Sequence, residues 1–220
     1  STLQTAMIAI HTKEGTILYA NDFKFDNHPI VGKKTNIKRL KELGNENVKL
    51  LIVNSMYSNS DQKTPSEKVA REMLKDVLLG TENSENIIFA TTFASHIARL
   101  SSLVSLGNML NRKVIMLGRS MQKYIKAAEK LNLAKFTGKA EIIGYANKIK
   151  KKLKQIEKTD RSKYMIICTG GQGEPSSVLN KIITNKIPFE FVGDDHVIFS
   201  NRIIPALPNQ NNRRLMEENL

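Results

Sequence analysis

Three short segments of the sequence combine glycine, hydroxyl and basic side chains: Thr91-Thr92-Phe93-Ala94-Ser95-His96, Gly118-Arg119-Ser120, and Thr169-Gly170-Gly171-Gln172-Gly173-Glu174-Pro175. Each stands where an apolar run gives way to a helical pattern. Glycine lets backbone approach a ligand closely, and a helix start offers unpaired N–H groups and partial positive charge to a phosphate. Arg119 adds a forked donor matched to phosphate oxygens. An ordinary reading stays open for each, because glycine and serine are common where a strand meets a helix. The third segment is the most specific, with more glycine than a turn needs. It has neither the Gly-Lys-Ser/Thr ending of a P-loop nor the GxGxxG spacing.

The other reactive residues point less clearly. His11, His28, His96 and His196 are far apart, with no HxH or HExxH pattern, so they form no self-contained metal site. His11 reads as a surface strand end, His28 before Pro29 as a loop residue, and His196 as a structural strand start. His96 lies in the first turn of an expected helix, and both a substrate contact and a structural role stay open for it. Asp22 ends an expected strand, where a carboxylate is a metal ligand or, more commonly, a turn cap. The lysine-dense segment 148–158 reads as a solvated helix face, with an RNA grip as the alternative. Cys168 sits inside an apolar run and reads as packing.

These residues need elements to hold them. The chain has 220 residues and a mass of 24.8 kDa, enough for one large domain or two small ones. Hydrophobic residues make up 40% and charged residues 25%, which excludes a disordered or fibrous chain. No apolar stretch approaches the roughly 18–20 residues of a membrane span. The first ten residues show no basic n-region or cleavage signature, so no secretory signal is expected. One cysteine excludes a disulfide scaffold and a cysteine-rich zinc module. Eight methionines and one cysteine fit a reducing cytoplasm. Net charge is +13 with a pI near 9.8, which favours a polyanion such as nucleic acid over a merely solubilising surface. With no tryptophan and 6% aromatics, a broad base-stacking platform is not expected, and backbone contacts would dominate.

Residues 5–12 and 16–21 read as a β-hairpin. His28-Pro29 breaks the chain, and residues 35–43 read as a helix closed by Gly44. Strands are then expected at 48–53, 87–90, 113–117, 164–168 and 196–200. Helices are expected at 64–79, 95–110, 120–131 and 175–183. Thr64-Pro65-Ser66-Glu67 reads as a capping box around Thr64. The tail 205–220 reads as polar. The alternation predicts an α/β fold, a mainly parallel sheet flanked by helices, with ligands beyond the carboxyl ends of its strands. The hairpin lies outside that pattern, which places a boundary near 33–38.

The hairpin, Ser1-Thr2 before it, and Leu18-Tyr19-Ala20-Asn21-Asp22-Phe23-Lys24-Phe25-Asp26 within it form one distinctive stretch. Further ones are Thr64-Pro65-Ser66-Glu67, Phe89-Ala90-Thr91-Thr92-Phe93-Ala94-Ser95-His96-Ile97-Ala98-Arg99, Gly118-Arg119-Ser120-Met121, the segment from Thr169 to Pro175, and Val197-Ile198-Phe199-Ser200. In order and spacing the series resembles the ribonuclease J family, of the β-CASP branch of the metallo-β-lactamase superfamily. The likeness covers nearly the whole chain, and its His-Ile-Ala-Arg form is closer to archaeal members. It implies a two-metal nuclease, usually zinc, acting on single-stranded RNA from a 5′-monophosphate end and sometimes internally. A metal-activated hydroxide would attack the phosphodiester. By the motif, Asp22 would be the catalytic carboxylate bridging the metals. Ser95, His96, Arg99, Arg119, Ser120, Gly170, Gly171, Gln172, Gly173 and Glu174 would line an RNA channel. The resemblance also suggests a cytoplasmic homodimer for the intact protein and no membrane association.

The departures shape what is expected of this chain. The family's His-x-His-x-Asp-His motif, the histidine of its His-Ser pair, and its Ser-Gly-His and Pro-Ala-His-Gly motifs are not in the sequence. Asn54 stands where the family usually has an acid. One carboxylate cannot hold two metals, so the chain by itself is expected to be inactive and to supply RNA-binding surface. The expected division is residues 1–35 as part of a metallo-β-lactamase domain, 36–203 as β-CASP, and 204–220 as the start of a return. A non-enzymatic RNA-binding module and a nucleotide-binding α/β module are the competing readings.

Overall fold

The computed structural model describes residues 5–82 and 84–220. The Ser1-Thr2 start of the family resemblance lies outside the described residues. Contacts divide the chain into two compact units, Thr2–Ala70 and Arg71–Leu220.

The first unit is built on β1 (Ile8–His11) and β2 (Thr16–Asn21), an antiparallel pair with Ile10 opposite Ile17. Gly15, at φ +140°, makes the turn, and its amide and carbonyl both bond to Thr12. α1 (Ile37–Gly44) starts at Asn36, whose side chain accepts from the Arg39 amide. β3 (Val48–Val53) pairs parallel with β2. The sequence reading groups 48–53 with the later strands. Here the register joins it to the hairpin instead, because an apolar run states a strand but not its partner. Ile8, Ile10, Leu50, Leu51, Ile52 and Val53 of this small sheet are all exposed.

α2 (Glu67–Gly80) begins later than expected. Ser66, not Thr64, caps it, its hydroxyl accepting from the Val69 amide at 3.2 Å. The Glu67 amide donates to Asp26 at 2.8 Å, so an acid outside the helix does the work assigned to the capping box.

The second unit carries β4 (Ile88–Thr91), β5 (Lys113–Leu117), β6 (Glu141–Ile143), β7 (Tyr164–Cys168) and β8 (His196–Phe199). They form one parallel sheet in the order β6-β5-β7-β4-β8, so the predicted α/β class is the observed one. β7 at the centre is buried at every residue, as a strand covered on both faces must be. Helices α3 (Ile97–Met109), α4 (Arg119–Lys130), α5 (Ala146–Ile156), α6 (Val178–Ile183) and α7 (Leu207–Glu218) complete the unit. Ile149, Leu153 and Ile156 of α5, Val178, Leu179 and Ile182 of α6, and Met216 of α7 share one core with Ile115, Leu117, Ile166 and Cys168. Alternation along the strands turns Val114, Met116, Met165 and Ile167 to the opposite face. Phe89, Phe189 and Phe191 pack edge to face, with centroids 4.9–5.5 Å apart. The lysine-dense segment is α5 and the turn after it, with Lys148, Lys150, Lys151 and Lys154 outward on the helix and Lys158 exposed in the turn.

Three elements go unnoticed in the sequence. β6 and a 3-10 turn at Arg161–Lys163 are each three residues long, and α7 lies in the tail read as polar. α6 starts at Val178 rather than Pro175, because Ser177 is its cap and accepts from the Asn180 amide.

Candidate nucleic-acid interface

The three glycine- and hydroxyl-bearing segments follow β4, β5 and β7. In the sheet β5, β7 and β4 are consecutive neighbours. All three turns therefore leave the same carboxyl edge, within about 10 Å across the strands. The sequence predicts convergence of these segments, and the strand order supplies it.

The turns differ in construction. After β5, Gly118 takes φ +136°, a backbone state that a side chain would strain. Arg119 and Ser120 open α4 directly after it, and both are exposed. After β4, Ser95 and His96 are part-buried, with His96 at the N-cap of α3. Three residues on, Arg99 Nη1 donates to the Ser200 carbonyl at 2.6 Å and hydroxyl at 2.8 Å. Arg99 thus ties the start of α3 to the end of β8. Among the described residues, the hydroxyls of Thr91 and Thr92 are buried without a hydrogen-bond partner.

The turn after β7 is an internal junction. Gly170, Gly171, Gln172 and Gly173 are buried and Glu174 is part-buried. A Cβ on Gly171 would overlap the Asn201 side chain, and one on Gly173 the backbone of Asn212 and Arg213. The glycines are required by packing against 201 and against α7. Gln172 is 3% exposed. Its Nε2 donates to the Arg202 carbonyl at 2.8 Å and its Oε1 accepts from the Ile204 amide at 2.7 Å. The side chain thus behaves as a short strand partner for 202–204. The Gln172 amide donates to Glu174 at 3.1 Å.

Arg213 and Asn201 are the residues that sequence reasoning does not find. Arg213, 6% exposed, donates to the Gly171 carbonyl at 2.8 Å and to Glu217, and lies over the Phe199 ring. Burial pulls its guanidinium below its ordinary range, opposed by Glu217 and Glu174. Asn201 Nδ2 donates to the same Gly171 carbonyl at 3.1 Å. The only signal was Pro208 with Leu215 and Met216, a weak helical start and apolar face in a polar tail.

Asp22 belongs to the first unit, at the end of β2, and is exposed. Asn54 Nδ2 donates to its carboxylate, and Asn54 Oδ1 accepts from the Met56 amide at 2.7 Å. The residue standing at the usually acidic position therefore braces Asp22. Among the described residues, no three His, Cys, Asp or Glu side chains cluster to hold a metal. A single carboxylate with an amide neighbour does not fit a two-metal centre, and no step through a metal follows from these residues. Cys168 is fully buried, and burial pushes its thiol up to about 12, which suits packing rather than nucleophilic chemistry. Among the described residues, no helix is long and apolar enough to cross a membrane.

A parallel sheet with helices on both faces, and three glycine- and hydroxyl-bearing turns at one carboxyl edge, defines an α/β protein. Residues 84–217 match the family model of the ribonuclease J β-CASP domain. The chain belongs to the ribonuclease J family. It is 39% identical over 211 residues to the ribonuclease J of Methanocaldococcus jannaschii, covering 96% of this chain and 47% of that protein. For the ribonuclease J of Pyrococcus abyssi the figures are 40% over 217 residues, 99% and 48%. For the bacterial one of Thermus thermophilus they are 34% over 201 residues, 90% and 33%. The chain thus spans about half the length of its archaeal relatives, and the archaeal leaning of the sequence resemblance agrees with these figures.

Proposed function

We propose that this chain is the RNA-gripping part of a ribonuclease J. The observation that carries the reading is the placement of the solvent-reaching turns after β4 and β5 on one carboxyl edge, with the buried β7 turn between them, in a chain of net charge +13. Arg119, Ser120, Ser95 and His96 contact phosphates from that edge. Arg99, Gly170, Gly171, Gln172, Gly173 and Glu174 shape it. Single-stranded RNA with a 5′-monophosphate is the substrate class, and the whole protein is a cytoplasmic, dimeric, zinc-dependent exonuclease that also cuts internally. Residues up to about 70, which include β3 in the sheet of the hairpin, are metallo-β-lactamase sequence, and β-CASP sequence follows through α7. Asp22 contributes one carboxylate to the metal centre, and the chain by itself does not hydrolyse RNA.

The test is fluorescence anisotropy of a 5′-monophosphorylated RNA oligomer across a salt series, followed by a cleavage assay with zinc or manganese supplied. Salt-sensitive binding without hydrolysis is expected. Salt-independent affinity, or a mononucleotide binding as tightly as the oligomer, overturns the reading in favour of a nucleotide-binding module. Hydrolysis by the chain alone overturns its inactive part.

A further inference from the structure

α4 carries Arg119, Lys123, Lys126 and Lys130. At 100° per residue these four fall within an arc of about 60° and extend over about 16 Å of one helix face. All four are exposed, and among the described residues none takes part in an ion pair. The single acid of the helix, Glu129, is engaged elsewhere. Its carboxylate accepts from the amides of Phe136 and Thr137 at 2.8 and 2.7 Å, and from the Thr137 hydroxyl. The opposite side of the helix holds Met121, Ile125 and Ala128 in the core, so the basic face is fixed outward.

By strand register the upper end of this face lies near an exposed aromatic. β5 and β6 run in register, Leu117 beside Ile143, and the Gly118 amide donates to the Ile143 carbonyl at 3.0 Å. Two residues past Leu117 is Arg119, and two past Ile143 is Tyr145, 59% exposed at the start of α5. A Cβ on Gly144 would overlap the Gln122 side chain, so the turn that carries Tyr145 is pressed onto the first turn of α4.

We propose that α4 and Tyr145 form a lane for single-stranded RNA that leaves the carboxyl edge at Arg119. Lys123, Lys126 and Lys130 take successive phosphates down the helix, and Tyr145 stacks one base at its head. A backbone track of unpaired cations with one aromatic per base is how sequence-tolerant single-strand binders are built. The inference rests on RNA being the ligand of the adjoining edge.

The experiment compares two triple variants of the full 220-residue chain that change net charge equally. One is Lys123→Glu, Lys126→Glu, Lys130→Glu on α4. The other is Lys150→Glu, Lys151→Glu, Lys154→Glu on α5. Each single-strand phosphate contact contributes about 0.7 to the slope of log affinity against log salt, so the α4 triple lowers that slope by about 2 and the α5 triple leaves it nearly unchanged. The glutamine version of the α4 triple gives the same change in slope, which guards against a folding defect caused by new acids. Tyr145→Ala weakens oligomer binding roughly tenfold, while Tyr145→Phe keeps it. Equal slopes for the two triples assign the effect to net charge and overturn the lane. So does an α4 triple that binds as the parent does, and in that case the RNA reading of the edge stands. A parent chain with no salt-sensitive RNA binding removes both. Lysine-dependent binding to phosphatidylserine vesicles without an effect on RNA assigns the face to a membrane instead.

Discussion

Arg213 Nη1 donates to the carbonyl of Gly171 at 2.8 Å, so the last helix of the chain holds the glycine-rich turn that follows the central strand. The turn has little side-chain substance of its own, and its shape is set from outside by Arg213, Asn201 and the peptide groups of α7. Replacing Arg213 by Met keeps most of the packing on Phe199 and removes the donors. The expected cost is about 2 kcal/mol, together with faster amide exchange over 170–174. Urea denaturation and hydrogen exchange check both. Unchanged exchange would show that the turn holds its form without Arg213.

Arg119 is exposed at the carboxyl edge of the parallel sheet, and on the proposed reading its removal touches binding alone. Arg119→Ala is expected to lower the salt slope of RNA binding by about 0.7 and to leave the melting temperature within a degree or so. A melting shift of several degrees would assign Arg119 to structure.

Glu129 makes stability depend on pH. The Thr137 amide first, then the Phe136 amide and the Thr137 hydroxyl, hold its carboxyl below the ordinary value of 4.5, against the opposing effect of burial. A carboxyl lowered by folding contributes stability above its unfolded value and loses it as pH falls. With much of the carboxylate solvated, Glu129→Ala is expected to destabilise the chain by about 0.5–1 kcal/mol at neutral pH. The difference from the parent should shrink steadily below pH 4.5. Denaturation at several pH values tests this, and a difference that stays constant into acid would contradict it.

The hydroxyl of Thr91 is buried without a partner at the end of β4. Valine has nearly the same shape and no polar atom to desolvate. Thr91→Val is expected to stabilise the chain by about 1 kcal/mol. Destabilisation in a denaturant titration would mean that the hydroxyl finds a partner in solution.

Cys168 should be inert in the folded chain. Its thiol stays protonated far above neutral pH, so alkylation by iodoacetamide at pH 8 is expected to wait for global unfolding. Rapid labelling in native buffer would show that β7 opens locally.

Much of this arrangement was legible in the residues. β5 and β7 are five-residue runs built on Val, Ile, Met and Leu, and their expected and observed limits coincide. The capped helix after Thr64 was placed well but started two residues early, because proline at Pro65 fits a helix start and a pre-helix turn equally. What stayed hidden was partnership. No local pattern says that residues 48–53 pair with a hairpin about 30 residues earlier, or that Gln172 will spend its amide on 202–204. The glycine-rich turn shows the same limit from the other side. Its composition announces close approach, and the fold brings the chain's own Asn201 and α7 as the approaching groups.

The small sheet of β1, β2 and β3 has a practical consequence. Among the described residues its outer strands β1 and β3 have no further strand partner, and their isoleucines and leucines face water, the combination that invites strand-to-strand self-association. Salt acts oppositely on the two surfaces of the molecule. It weakens attraction to phosphate, and by screening the excess of positive charge it lets copies approach through the oily sheet. Buffers strong enough to weaken the proposed RNA contacts are therefore the ones in which the chain will tend to clump.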